Sequence, residues 1–241
     1  MTLTLVTGGS RGIGAATALR LAADGHDLVL GYLSDRGAAE RTAARIRDRG
    51  AGCHLVRADV SDAGQVDALF DEIAEHGRLT GVVNNAGATL HVGDLADTPV
   101  DVVRRVIDVN LTGAVLVARR AVRDLAAGGV IVNVSSAAAT LGSAHEYVHY
   151  AAAKAGVDAL TLGLAQEVAG RGIRVNGVAP GTVRTDIHAA AGDPGRPDRV
   201  APGVPLGRVG EPEEVAEAIA WLLSDSCPYL TGATLRIAGG R

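Results

Sequence analysis

The feature that most narrows the fold is an alternation. Seven short runs of aliphatic and β-branched residues, at 2–6, 27–32, 54–58, 81–83, 130–134, 174–179 and 234–237, read as strands. Most are separated by segments with helical periodicity, at 15–23, 36–49, 62–75, 99–126, 147–169 and 212–223. Strand and helix in turn at this period imply right-handed βαβ units and a parallel sheet with helices on both faces. The expectation is an α/β chain with a doubly wound, Rossmann-type parallel sheet, formed as a single domain over residues 1–241. Aromatics are scarce (one Phe, one Trp and four Tyr), so Ala, Val, Leu and Ile must build the core. That palette suits buried parallel strands under close-packed helices.

The first run leads at once into Thr7-Gly8-Gly9-Ser10-Arg11-Gly12-Ile13-Gly14 and then a helix. A glycine loop between a strand and a helix N-terminus leaves backbone amides and the helix dipole free to hold a phosphate. The spacing is Gly-x3-Gly-x-Gly, not the Gly-x-Gly-x-x-Gly of the general dinucleotide fingerprint. Other turn and polar residues stand at strand ends: Asp59 and Val60, Asn84-Asn85-Ala86-Gly87, Ser135 and Ser136, and Pro180-Gly181 with Val183 and Thr185 behind. In an open parallel sheet the carboxyl ends of the strands are where ligands bind.

Tyr150 and Lys154 stand four apart near the front of the 147–169 helix, so they share one face. A free phenol titrates near ~10 and is a poor acid or base at neutral pH. A neighbouring ammonium favours the phenolate, which is what general acid–base chemistry requires. Alone, such a pair is equally an ordinary i,i+4 contact; the surrounding motifs give it meaning. His145-Glu146-Tyr147-Val148-His149 spells H-E-x-x-H, but Glu167 lies roughly 27 Å along the same helix from His149 and cannot complete a zinc site. No metal is expected. His145, Tyr147 and His149 are expected to border the substrate pocket or cap the helix.

The net charge is −4 with no basic block, which gives no electrostatic basis for binding nucleic acid or an anionic membrane. Two cysteines, Cys53 and Cys227, suggest free thiols in a reducing compartment. Without an apolar span or a leader-like start, a cytoplasmic protein is expected. Residues 186–207 carry glycine and proline breakers after Ala191, among them Gly192, Pro194, Gly195, Pro197 and Pro202, and no long apolar run, and read as a mobile lid.

Taken together, Thr7-Gly-x-x-x-Gly-x-Gly14, Asn84-Asn85-Ala86-Gly87, Asn110, Ser136, Tyr150-x-x-x-Lys154 and Pro180-Gly181 resemble the classical short-chain dehydrogenase/reductase family across the whole chain. The pattern is similar to the 3-oxoacyl-acyl-carrier-protein reductases, including Tyr229-Leu230-Thr231-Gly232. The resemblance implies an NAD(P)-dependent oxidoreductase that reduces a ketone, including a 3-oxoacyl thioester, or that works oxidatively on a sugar or secondary alcohol. A nucleotide-binding regulator without turnover is disfavoured by the full set of catalytic residues. In the implied roles Tyr150 donates a proton to the carbonyl oxygen and Ser136 hydrogen-bonds it. Lys154 holds the nicotinamide ribose and lowers the Tyr150 pKa, and Asn110 holds a water linking Lys154 to solvent. Ser136 is preferred to Ser135, since the family uses the later serine and alternate strand residues face opposite ways. Gly8, Ser10, Arg11, Gly12, Ile13 and Gly14 would line the pyrophosphate, Asp59 and Val60 the adenine, and Asn85, Ala86 and Gly87 the ribose. Pro180, Gly181, Val183 and Thr185 complete the cofactor site.

The second strand ends in Gly31-Tyr32 without the carboxylate that marks NAD binders, while Arg11, Ser34 and Arg36 suit a 2′-phosphate. The cofactor expected is therefore NADP(H). Arg171 matches a carrier-protein-binding position, but Ala127-Gly128-Gly129 stands where a second basic residue is expected, which weighs against an acyl-carrier partner. A small-molecule carbonyl or alcohol and a homotetramer, assembled through the helices bearing Asn110 and Tyr150, are the remaining expectations of the resemblance.

Overall fold

β1 (Thr2–Thr7) is buried along all but its first residue, the signature of a central strand covered on both faces. In the computed structural model, which describes residues 2–241, it lies in the middle of a seven-stranded parallel sheet. The other strands are β2 (His26–Tyr32), β3 (Cys53–Arg57), β4 (Leu79–Asn84), β5 (Val130–Val134), β6 (Arg174–Pro180) and β7 (Thr234–Ile237), in the order β3-β2-β1-β4-β5-β6-β7. The winding direction reverses between β1 and β4, which opens a crevice at their carboxyl ends.

The helices are α1 (Gly12–Ala23), α2 (Arg36–Arg47), α3 (Ala63–His76), α4 (Val100–Ile107), α5 (Gly113–Asp124), α6 (Ala138–Leu141), α7 (Val148–Val168), α8 (Ile187–Ala190), α9 (Arg196–Val200) and α10 (Pro212–Leu223). Alternate strand residues feed two cores. Leu3, Leu5 and Ile131 pack with Phe70 and Ile73 of α3, Val117 of α5 and Val168 of α7. On the other face Val6, Leu30 and Val132 pack with Leu21 of α1, Ile46 of α2, and Ile219 and Leu222 of α10. Among the described residues no helix is long and apolar enough to cross a membrane.

One local expectation changes. The single helix expected over 99–126 is interrupted by a π-helical turn at Asp108–Thr112. The cause is Asn110, whose side-chain Nδ2 donates to the Val106 carbonyl at 2.8 Å and displaces the normal ladder there. The 186–207 segment holds α8, α9 and a 3-10 turn at Ala201–Gly203, separated by its glycines and prolines. α7 begins at Val148, within one residue of the expected start, with His145 outside it.

Candidate functional site

The glycine loop is shaped by contacts that only glycine permits. A Cβ on Gly14 would sit 2.3 Å from the Gly8 carbonyl oxygen, and one on Gly8, whose φ is +64°, would sit 3.0 Å from Asn85 Nδ2. Thr7 holds the loop against the end of β4: its hydroxyl accepts from Asn85 N at 2.9 Å and Ala86 N at 3.0 Å. Asn85 Nδ2 returns a bond to the Thr7 carbonyl at 2.8 Å. No side chain caps the N-terminus of α1, so its first amides are free to meet an anion. This bare-backbone cradle at a helix start fits a dinucleotide pyrophosphate.

A cavity of about 870 Å³ runs from that loop across the carboxyl ends of the strands to Tyr150. Gly8, Ser10, Arg11, Gly12, Ile13, Gly14, Tyr32, Ser34, Asp59, Val60, Asn85, Ala86, Gly87, Pro180, Gly181, Val183 and Thr185 all line it. Arg36 does not. Its guanidinium turns outward to Glu40 at 2.8 Å, one helical turn away, so it faces solvent rather than the ribose end. Asp35, which stands beyond the second strand, lines the cavity instead and forms an ion pair with Arg11. Arg105 of α4 reaches the same rim, donating to Asp59 Oδ2 at 2.8 Å and Ser61 Oγ at 2.7 Å. Burial opposes the Asp59 charge, but the bonds from Ser61 and Arg105 outweigh it and hold the carboxyl below its ordinary value.

At the other end, Ser135, Ser136, Tyr150 and Lys154 converge beyond β5. Ser135 is spent on structure, donating to the Lys154 carbonyl at 3.2 Å. Ser136 is the more open, and its hydroxyl accepts from Ala138 N at 3.2 Å. Lys154 is 4 % exposed; its Nζ donates to the Val134 carbonyl at 2.8 Å and lies 5.7 Å from the Tyr150 ring centre. Burial pulls the Lys154 amine down to about 8, with Asp158 opposing. Burial also pushes the Tyr150 phenol up, against the hydrogen bond with Ser136 and the Arg196 charge. The expected depression of the phenol by Lys154 is therefore not met by these side chains alone, because desolvation of the phenolate dominates.

Asn110 stands behind the cavity wall. Its Nδ2 also donates to Ala88 O at 2.6 Å, and its Oδ1 accepts from Ala88 N at 3.3 Å. A Cβ on Gly87 would lie 2.8 Å from Asn110 Oδ1 and 3.6 Å from Lys154 Nζ, so that glycine separates the two side chains.

Of the H-E-x-x-H residues, Glu146 and Tyr147 line the cavity and the two histidines do not. His145 meets Asp94 at 2.8 Å, and His149 is buried on α7. Among the described residues no three His, Cys, Asp or Glu side chains gather as a metal site. Asp35, Arg105 and Arg196 also line the cavity, although none of the sequence motifs points to them. Only Asp35 carried a local signal, as an acid directly before a helix.

The family model described as enoyl-(acyl carrier protein) reductase matches residues 8–241. An uncharacterized oxidoreductase, YgfF of Escherichia coli, is 46 % identical over 100 % of both chains. The 3β-hydroxysteroid dehydrogenase 1 of Eggerthella lenta is 44 % identical, over 98 % of this chain and 92 % of its own. Among solved structures, a short-chain dehydrogenase from Burkholderia cenocepacia in complex with NADP superposes with a TM-score of 0.93 at 35 % identity, covering 99 % of this chain and 97 % of that one. With its glycine cradle and its tyrosine–lysine pair at the two ends of one cavity, this chain belongs to the short-chain dehydrogenase/reductase family and is an NAD(P)-dependent oxidoreductase.

Proposed function

We propose that the protein reduces a ketone to a secondary alcohol with NADPH. The observation that carries this reading is the convergence of Ser136, Tyr150 and Lys154 on a cavity whose far end is walled by Leu90, Leu141, Ala144 and Ile187. Bound NADPH supplies the hydride. The chain supplies position and a proton. The Ser136 hydroxyl donates to the substrate oxygen, Tyr150 gives that oxygen its proton, and Lys154 holds the nicotinamide ribose. Asn110 fixes the backbone at Ala88 and, through an ordered water, connects Lys154 to solvent. Gly8, Ser10, Gly12, Ile13 and Gly14 would hold the pyrophosphate. Asp59 and Val60 would border the adenine, Asn85–Gly87 the ribose, and Pro180, Gly181, Val183 and Thr185 the nicotinamide end.

The preference for NADPH rests on Arg11 and Ser34 at the adenosine-ribose rim and on the NADP held by the Burkholderia relative. Arg36 is withdrawn from that role by Glu40. Because Asp35 already engages Arg11, a 2′-phosphate must compete with a carboxylate, and the preference is modest.

The substrate is a free small molecule rather than one delivered on a carrier protein. Arg171, the one basic residue suited to a carrier, instead donates to the Val122 and Leu125 carbonyls at the end of α5. A second reading, oxidation of a secondary alcohol, is favoured by the likeness to a hydroxysteroid dehydrogenase. We also infer a homotetramer built through the helices that follow Asn110 and carry Tyr150, which expose Val115 and Leu162.

The test is a panel of ketones and secondary alcohols, each with NADPH, NADH and their oxidised forms, followed at the nicotinamide absorbance band. The reading predicts the highest kcat/KM for a ketone with NADPH. Tyr150→Phe should lower kcat by about 10²–10⁴-fold while nucleotide binding persists; undiminished turnover in that variant would remove the assigned acid.

A further inference from the structure

The 186–207 segment covers the cavity, yet it has almost no apolar attachment to the body. Within it only Arg196, Pro197 and Val204 are buried. A lobe held by few buried apolar contacts belongs to the low-stability end of a fold. Its other ion pairs, Arg11 with Asp186, Arg184 with Asp198 and Arg199 with Asp193, include half-exposed partners and contribute little.

Arg196 differs from these. It sits at the start of α9 with its side chain only 6 % exposed. One guanidinium nitrogen donates to Glu146 Oε2 at 2.5 Å, on the loop before α7, and another to Thr182 Oγ1 at 3.1 Å, just after β6. The guanidinium carbon lies 5.1 Å over the Tyr147 ring. Tyr147 in turn meets Tyr150 edge to face, with ring centres 5.3 Å apart and planes at 85°. One side chain thus joins the lid, the floor of the cavity and the ring beside the catalytic phenol.

We propose that Arg196 and Glu146 are the latch that holds the 186–207 lid over the cavity, and that Arg196 is a positioning residue that sets Tyr147 against Tyr150. Removing one partner of a buried ion pair leaves the other charge uncompensated, so either change should release the lid. The latched state is itself incomplete, because Arg196 Nε is buried without an acceptor. An unmet donor raises the free energy of the closed form and keeps opening within reach of thermal motion. The role assigned to the pair rests on the ketone-reductase reading only where turnover is measured; lid closure can be read without it.

The full-length protein and its Glu146→Gln, Arg196→Gln and Arg196→Lys variants are compared in two assays. In limited thermolysin digestion, both Gln variants should be cleaved within 186–207 at least about tenfold faster than the parent. Arg196→Lys, which keeps the charge on Glu146, should recover part of the protection. In steady-state assays with the best ketone of the panel, KM should rise about tenfold with a smaller change in kcat, while NADPH binding by fluorescence stays unchanged. Parental cleavage rates in both Gln variants would overturn the latch. Should Arg196→Gln fail to fold, Glu146→Gln, at a less buried position, decides alone. Absence of turnover with every ketone would sink the reductase reading and leave the digestion result to judge the lid.

Discussion

Lys154 is a buried amine with its pKa brought from 10.5 down to about 8, and the sign of its effect on stability follows. Between those values the unfolded chain binds a proton that the folded protein releases, so stability rises with pH from about 8. Cys53 works the other way above its ordinary 9.0, because burial holds the folded thiol protonated up to about 11. Tyr150, raised by burial, does the same above 10. From pH 8 to 9, urea unfolding should therefore give a free energy rising with a slope approaching ~1.4 kcal/mol per pH unit, and Lys154→Met should flatten it. A second residue-level outcome concerns nucleotide choice. Asp35 is held at the rim by its N-cap bond from Ala38 N at 2.8 Å, where it neutralises Arg11. Asp35→Ala frees that guanidinium, and the NADPH-over-NADH affinity ratio in fluorescence titrations should rise about tenfold. The sequence placed Arg36 here because it follows Ser34. An acid before a helix is also a capping signal, and that geometry turns residue 35 inward and residue 36 out.

At the scale of elements, the strands and long helices could be read from the chain because local periodicity sets each of them. The π-turn at Asp108–Thr112 could not, since the Asn110 side chain that takes the Val106 carbonyl is also held by Ala88, 22 residues away. Asn110→Ala would leave the half-buried backbone groups of Ala88 without these partners and let the ladder revert. We expect a loss of ~1–3 kcal/mol in urea unfolding, together with a lower kcat. The 186–207 segment was legible only as a row of breakers. Its helices are four and five residues long, too short to stand by propensity, and tertiary contacts sustain them.

For the whole molecule, the doubly wound parallel sheet followed from alternation, whereas the Arg196–Glu146 pair spans 50 residues and no local pattern announces it. Assembly belongs to this scale. Leu162, 52 % exposed on α7, would be covered in the inferred tetramer. Light scattering should give four times the chain mass for the parent, and Leu162→Asp should reduce it to dimer or monomer. One more consequence comes from Thr7. Its hydroxyl donates to Val83 and accepts from Asn85 and Ala86, so all its bonding capacity is spent on a partner almost eighty positions further along. A nascent chain that has emerged only through β3 therefore owns every loop glycine but not the wall that gives them their shape. Competence to capture a nucleotide arrives with the fourth strand and is not a property of the amino-terminal motif alone.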